Sequence, residues 1–308
     1  MANCNNLFQD YNTDLSIGSK KNDRMKDSKE GLRKRIRKWF KDNHPEYVPY
    51  FFIQGSYKMK NGIRTAEDIC DLDDGIYFFR APDVTASTLK SWVTQAVEGY
   101  TSASPENRKK CVRSIFANDY EIDHPVYCKE EGKEYQIAVK GVGFEDSDPK
   151  AVVNWFASKK DKDGRLLRNI KYLKGWADNQ TFKMPSGLAL TILATNAKQL
   201  IVLNERDDIT MRDILKEIQK ELKRDFKCIV PAVPNDDLLE NYPNKDKFLD
   251  ALDKFITDAE SAIRNINQRE ASKFWRKNFG SRFPLGEDKN ETNTNNTAAA
   301  HSYPYCHD

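Results

Sequence analysis

The chain has 308 residues, 39% of them apolar and 31% charged, with a formal net charge of +3. That length suffices for two modest domains around a sizeable core. The near-balance of charge excludes a surface given over wholly to polyanions, and no apolar run approaches the roughly 20 residues of a membrane-spanning helix. The N-terminus, MANCNNLFQDYNTD, lacks the charged-then-apolar layout of a secretory signal. Six scattered cysteines (Cys4, Cys70, Cys111, Cys128, Cys228 and Cys306) form no CxxC pair. The expectation is a cytoplasmic protein with reduced thiols, not associated with a membrane and holding neither a zinc ribbon nor a disulfide framework.

Between Lys20 and Lys41 there are eleven Lys and Arg residues against three acids. Leu32, Ile36, Trp39 and Phe40 recur there at helical spacing, which predicts an amphipathic helix with a basic outer face. Contact with nucleic acid or nucleotide phosphates is one reading of that face. The reading preferred here is a solvated back face on a helix that braces the core. His44-Pro45 and Pro49 end the helix, and YFFIQGS opens a strand. Further strand-like runs lie at 72–79, 111–117, 120–128 and 134–141, the last two joined by the hairpin loop KEEGK. From Pro149 the texture turns helical. RLLRNIKYLKGWADN carries Leu166, Ile170, Leu173 and Ala177 on one face. MRDILKEIQKEL, with Thr210 as its expected N-cap, carries Ile214, Ile218 and Leu222. DKFLDALDKFITDAESAIRNI carries Phe248, Leu252, Phe255, Ala259 and Ile263. The expected organisation is therefore α+β: an N-terminal segment and bracing helix over 1–45, a sheet-based core over 46–150, a helical lobe over 151–286, and a polar, disordered tail over 287–308.

Chemistry concentrates in QGSYKMKNGIRTAEDICDLDDGIYF, residues 54–78. Side chains at i and i+2 of a strand point the same way, so Asp71 and Asp73 project together. Adjacent carboxylates repel, and one takes up a proton unless a cation lies between them. Mg²⁺ resolves this, since it accepts carboxylate oxygens and keeps positions open for phosphates. Asp123, in YEIDHPVYC, points away from Ile122 on its own strand and supplies a third acid. Three such carboxylates are enough for two Mg²⁺ ions, with Mn²⁺ as an alternative. Gly55 lets the backbone approach a triphosphate, and Ser56 offers a hydroxyl to a phosphate oxygen.

The set Gly55-Ser56, Asp71-x-Asp73 and Asp123 resembles the DNA polymerase β-like nucleotidyltransferases. Within them QGSY…DLDDGIYF, IDHPVY and NIKYLKGW resemble the bacterial cGAS/DncV-like nucleotidyltransferases (CD-NTases), relatives of oligoadenylate synthetase and cyclic GMP-AMP synthase. The resemblance covers residues from about 30 to 285 and includes KFWRKNFGSRFPLG. It implies a polymerase β-like core with a mixed sheet, a C-terminal helical lobe and an active site in the cleft between them. It implies that Asp71, Asp73 and Asp123 are catalytic and hold the metal, and that Gln54 and Ser56 contact the donor triphosphate. Lys174 matches the family lysine that reaches phosphates, with Lys171 a weaker candidate one turn earlier, and Ser186 falls at the helix start that closes over the nucleotide.

The activity implied is synthesis of a cyclic di- or oligonucleotide second messenger from GTP and/or ATP. The family acts in CBASS anti-phage defence, beside an effector such as a STING-type receptor. Arg165, Arg168, Arg206 and Arg212 are available to read guanine, which inclines the expected product towards cyclic di-GMP. The His/Cys zinc thumb of the animal sensor is missing, so no nucleic acid is expected to be required. The competing reading is a toxin-like nucleotidyltransferase acting on RNA or protein, for which the basic helix would supply the groove.

Overall fold

The computed structural model describes residues 1–117 and 119–290. In chain order the elements are α1 (Asn5–Leu15), α2 (Ser19–Asn43), β1 (Tyr50–Gln54), α3 (Gly55–Met59), β2 (Cys70–Phe78), α4 (Ala86–Val97), β3 (Glu106–Asn107), β4 (Val112–Phe116), β5 (Tyr120–His124), β6 (Val126–Cys128), β7 (Gln136–Val139), β8 (Gly143–Asp146), α5 (Pro149–Lys159), α6 (Arg165–Asp178), α7 (Gly187–Lys198), α8 (Asp207–Arg224), α9 (Lys245–Arg264) and α10 (Gln268–Phe279). The result is α+β, with a mixed sheet first and helices after it.

β2 organises the sheet. β1 lies antiparallel along one edge of it. On the other edge β5 runs parallel to its first half and β6 to its second half. β5 and β6 are one extended segment broken at Pro125, which has no N–H to give a ladder; its carbonyl still accepts from the Ile76 amide at 2.9 Å. β4 then pairs antiparallel with β5, and β7 with β6, through the KEEGK hairpin. Leu72, Ile76 and Phe78 point to a core closed by Met25, Leu32, Ile36 and Phe40 of α2 and by Leu89 and Val93 of α4. Helix α2 is thus the brace that its apolar stripe predicts.

A second core holds α5 to α10 together. Its N-terminal partner is α1, which the sequence reading leaves without an element. Phe8 of α1 meets Trp275 edge-on at 4.8 Å, and Tyr11 meets Phe279 at 4.9 Å. Residues 1–45 therefore divide, α1 going to the helical core and α2 to the sheet core. Helix α8 begins at Asp207, three residues before the N-cap expected at Thr210. Asp207 and Asp208 supply the acids of the first turn, and the Thr210 hydroxyl instead donates to the Asn204 carbonyl at 3.0 Å. Of the stretch read as a tail, residues 287–290 are pinned to the start of α10, where the Gln268 amide donates to the Lys289 carbonyl at 3.1 Å. Residues 291–308 lie outside the described residues.

Candidate active site

A cleft of about 680 Å³ opens between the two cores. Its sheet wall carries Asp71 and Asp73 on β2 and Gly55 and Ser56 at the start of α3; its helical wall carries Lys174 of α6 and Gly187 of α7. The order β1–α3–β2 explains the first wall. Gln54 pairs with Asp73 across the β1–β2 ladder, so the chain leaves β1 beside the carboxylates and must turn at once. Gly55 makes the turn with φ +60°, and a Cβ there would stand 1.9 Å from an Asp73 carboxylate oxygen. Both demands select glycine.

Among the described residues no hydrogen-bond donor reaches the side chain of Asp71 or Asp73. Asp71 faces the cleft and Asp73 is half-buried below it. The protein mass around them raises both carboxyls above the ordinary range, helped by the neighbouring acids: Asp123 acts on Asp71, and Asp71 with Asp123 on Asp73, which is pushed up to about 7. Two unpaired oxygen-donor carboxylates on one strand face, open to a cleft, fit a hard divalent cation. Asp123 is in register with Asp73 on β5, as its strand position predicts. Its two oxygens accept from Arg113 of β4, Nε at 2.7 Å and Nη2 at 2.8 Å. Among the described residues, then, no three His, Cys, Asp or Glu side chains form a ready-made metal cluster.

The helical wall carries the lysine expected to reach phosphates. Lys174 is half-buried, and its ammonium donates to the backbone and side-chain oxygens of Asn61, each at 2.9 Å. Burial lowers its pKa to about 8, against the opposing pull of Asp71 and Asp73. Asn61 is fully buried and also donates to Thr191 of α7 at 3.2 Å, so one residue ties the loop after α3 to both helices of the far wall. Ser186 caps α7, its hydroxyl accepting from the Ala189 amide at 3.1 Å. The cap sets Gly187 against the Lys174 stem, where an added Cβ would lie 3.3 Å from Cε.

Other expected residues serve elsewhere. Gln54 lines the cleft, and its side chain is used within the sheet: Nε2 donates to the Tyr127 hydroxyl and Oε1 accepts from Tyr77, both at 2.9 Å. These two bonds fasten β1 to β2 and β6. Lys171 donates to the Ser16 hydroxyl at 2.9 Å. The four arginines proposed as guanine readers are engaged. Arg168 forks onto buried Asp207 at 2.6 and 2.9 Å, Arg206 pairs with Asp208, Arg212 with Asp213, and Arg165 with Asp163. None of them lines the cleft. Sequence reasoning missed Asn61, Arg113 and Lys110, the last a cleft residue paired with Glu145 at 3.3 Å.

Residues 49–127 match the family model of the nucleotidyltransferase domain of DncV-like cyclic GMP-AMP synthases. Gly55, Ser56, Asp71, Asp73 and Asp123 all fall inside the matched span. Among solved structures, the DncV cyclic AMP-GMP synthase of Vibrio cholerae, a prokaryotic cGAS homolog, superposes with a TM-score of 0.79 at 18% identity, over 92% of this chain and 98% of that one. The same enzyme in complex with nonhydrolyzable GTP gives 0.80 at 18% identity, over 92% and 97%. Escherichia coli DncV in its 3'-deoxy GTP bound form gives 0.76 at 19% identity, over 88% and 93%. Identity at this level speaks for the fold. The family model speaks for a nucleotidyltransferase domain over residues 49–127.

Proposed function

From a chain whose residues 49–127 match the nucleotidyltransferase domain of DncV-like synthases and whose fold is that of DncV, we propose a synthase that joins nucleoside triphosphates into a cyclic dinucleotide second messenger. A ribose 3′-hydroxyl attacks an α-phosphate, the new P–O bond forms as the bond to pyrophosphate breaks, and a second such attack closes the ring. The observation that carries this reading is the pair of unpaired carboxylates, Asp71 and Asp73, facing a half-buried lysine across a nucleotide-sized cleft. Mg²⁺, held by Asp71 and Asp73 with Asp123 once it leaves Arg113, would supply Lewis-acid stabilisation of the phosphates and acidification of the attacking hydroxyl. Ser56 and Lys174 hold the departing phosphates, Lys174 as a point charge that reads no base. Lys174 also exchanges its Asn61 oxygens for phosphate oxygens, so an occupied cleft loosens one wall from the other.

GTP and ATP are the candidate substrates. With Arg165, Arg168, Arg206 and Arg212 paired outside the cleft, the inclination towards cyclic di-GMP loses the residues that supported it. The choice between guanine and adenine products passes to groups on the cleft wall, of which Lys110 carries a donor. A role in CBASS defence, with a product-binding effector of the STING type, rests on the family resemblance. The polymer-modifying alternative loses ground because the basic helix spends its inner charges within the fold. Lys21 pairs with Asp68 and Asp119, and Arg33 with Asp74. The deciding experiment incubates pure protein with each labelled triphosphate and Mg²⁺ and identifies phosphatase-resistant products by mass spectrometry. Cyclic products from free nucleotides are expected; label transferred only to added tRNA or protein would favour the alternative.

A further inference from the structure

The parallel pairing of β2 with β5 sets Asp71 opposite Glu121 and Asp73 opposite Asp123. In-register residues of parallel strands share a face, so four carboxylates project from one patch of the sheet. Arg113 stands opposite Asp123 on β4 and meets the same patch. Its side chain is 14% exposed, and its guanidinium is divided between two acids. Nε and Nη2 fork onto both oxygens of Asp123, and Nη1 pairs with Glu121. Among the described residues this is the only arginine that touches any of the four acids. Asp71 and Asp73 are left without a donor, while the third catalytic carboxylate is held by a cation of the protein itself.

We propose that Arg113 and Glu121 form an exchange clamp for Asp123. The guanidinium holds the third carboxylate until a divalent cation competes for it, and Glu121 then keeps Arg113 paired, so that no buried cation is stranded. Leaving a buried charge without its partner is what makes breaking such pairs costly, and a reserve partner on the same strand face removes most of that cost. Arg113 and Glu121 are positioning residues in this account; Asp123 remains the group that reaches the reacting centre. The inference rests on the metal-dependent reading above and assigns two residues to it that the motifs do not contain.

The test is Mn²⁺ binding to the full chain, followed by the electron paramagnetic resonance of free Mn²⁺, without nucleotide and without turnover. Arg113→Gln is expected to tighten Mn²⁺ binding about tenfold, and Glu121→Gln to weaken it several-fold, because Arg113 then has Asp123 as its sole acid. Removing or adding charge near the site would shift binding in the same directions, so each change is repeated in an Asp123→Asn background. The clamp predicts that both shifts shrink to less than about twofold there, whereas a general field effect leaves them intact. Equal shifts in the two backgrounds would overturn the proposal. If Arg113→Gln fails to give a cooperative melt, the Glu121→Gln pair alone decides, by the same criterion. Asp73→Asn separates the underlying reading: if it leaves Mn²⁺ affinity unchanged, the metal assignment itself is wrong, whatever Arg113 does.

Discussion

At the residue scale, the site holds its charges in unfavourable states that the proposed substrate and metal would relieve. Asp73, raised to about 7 mainly by burial and then by Asp71 and Asp123, binds more protons folded than unfolded between about pH 4 and 7. Stability in EDTA therefore falls as pH rises through that window. Asp73→Asn removes the loss: it is expected to melt higher than wild type at pH 8, by about 2–4 °C for each kcal/mol recovered, and no higher at pH 4. The same variant should make no product, as should Asp71→Asn. Scanning calorimetry at the two pH values, with an activity assay, checks both halves; equal melting curves at pH 8 would contradict the burial account. The pKa of Lys174 is shifted the other way. Its ammonium is depressed to about 8, chiefly by burial, and phosphate binds only the charged form. Affinity for nonhydrolyzable GTP should then fall by up to about tenfold per pH unit above 8, and Lys174→Arg should flatten that profile because guanidinium stays charged. Lys174→Ala should weaken GTP and ATP alike, and selective loss of one base in titration calorimetry would mean that the helix does not lie over the phosphates. Asp71 and Asp73 were legible in the sequence because strand periodicity places them side by side, whereas Lys174 was legible only through the family resemblance of its helix. Arg113 and Glu121 were not, because their meaning depends on the register of β4 against β5 and of β5 against β2, which alternation within one strand does not fix.

At the element scale, the basic helix α2 shows how a charge run divides between structure and surface. Lys34 and Lys38 are exposed, the latter paired with Asp42 one turn on. Arg33, on the same stretch, forks onto Asp74, whose side chain is fully buried in β2. The guanidinium also stands 5.3 Å over the ring of Phe51 on β1, so a single residue fastens the helix to two strands. Arg35 is likewise used, its Nε donating to the Ala96 carbonyl at the end of α4 at 3.0 Å. Reversing Lys34 and Lys38 together is expected to change stability by about 0.5 kcal/mol or less and to leave turnover, without added DNA or RNA, within a few-fold of wild type. Arg33→Glu places two acids face to face in a buried site and should cost about 3–5 kcal/mol, enough to lower soluble yield. Denaturant melts distinguish the two; a synthase that works only with duplex present and loses that response in the Lys34, Lys38 variant would identify α2 as a sensor surface. The apolar stripe of α2 was readable from composition, but the division of its charges was not, since Arg33 and Lys34 look alike until Asp74 is known to lie beneath one of them. Helix α1 illustrates the converse. Leu7, Phe8, Tyr11 and Leu15 have helical spacing, yet the Asn and Asp residues among them give the segment the texture of a polar leader.

At the scale of the whole molecule, function depends on how firmly the two cores face each other, and one acid joins three distant segments there. Asp14, at the end of α1, accepts from Arg64 at 2.6 Å and from Arg282 at 2.7 Å. Arg282, beyond α10, also donates to the Arg64 carbonyl at 3.1 Å. The N-terminal helix, the C-terminal segment and the loop after α3 are thereby drawn together. That loop matters because Ile63 and Thr65 on either side of Arg64 line the cleft. Two residues on, the Ala66 amide donates to Asp178 of α6 at 2.7 Å. Asn61 of the same loop holds Lys174. The bracket is partly exposed, so its worth lies less in global stability than in keeping the loop, and through Asn61 the Lys174 side chain, at its place on the wall. Asp14→Ala should therefore leave the global melt almost unchanged while amide exchange over residues 61–66 accelerates. KM for the triphosphates should rise by about fivefold, with a smaller change in kcat, because the binding wall loosens and the carboxylates of β2 do not move. A rise in KM without faster exchange in the loop would place the effect elsewhere. A fall in kcat alone would mean that the bracket serves the chemical step and that the two cores are held by their apolar contacts alone.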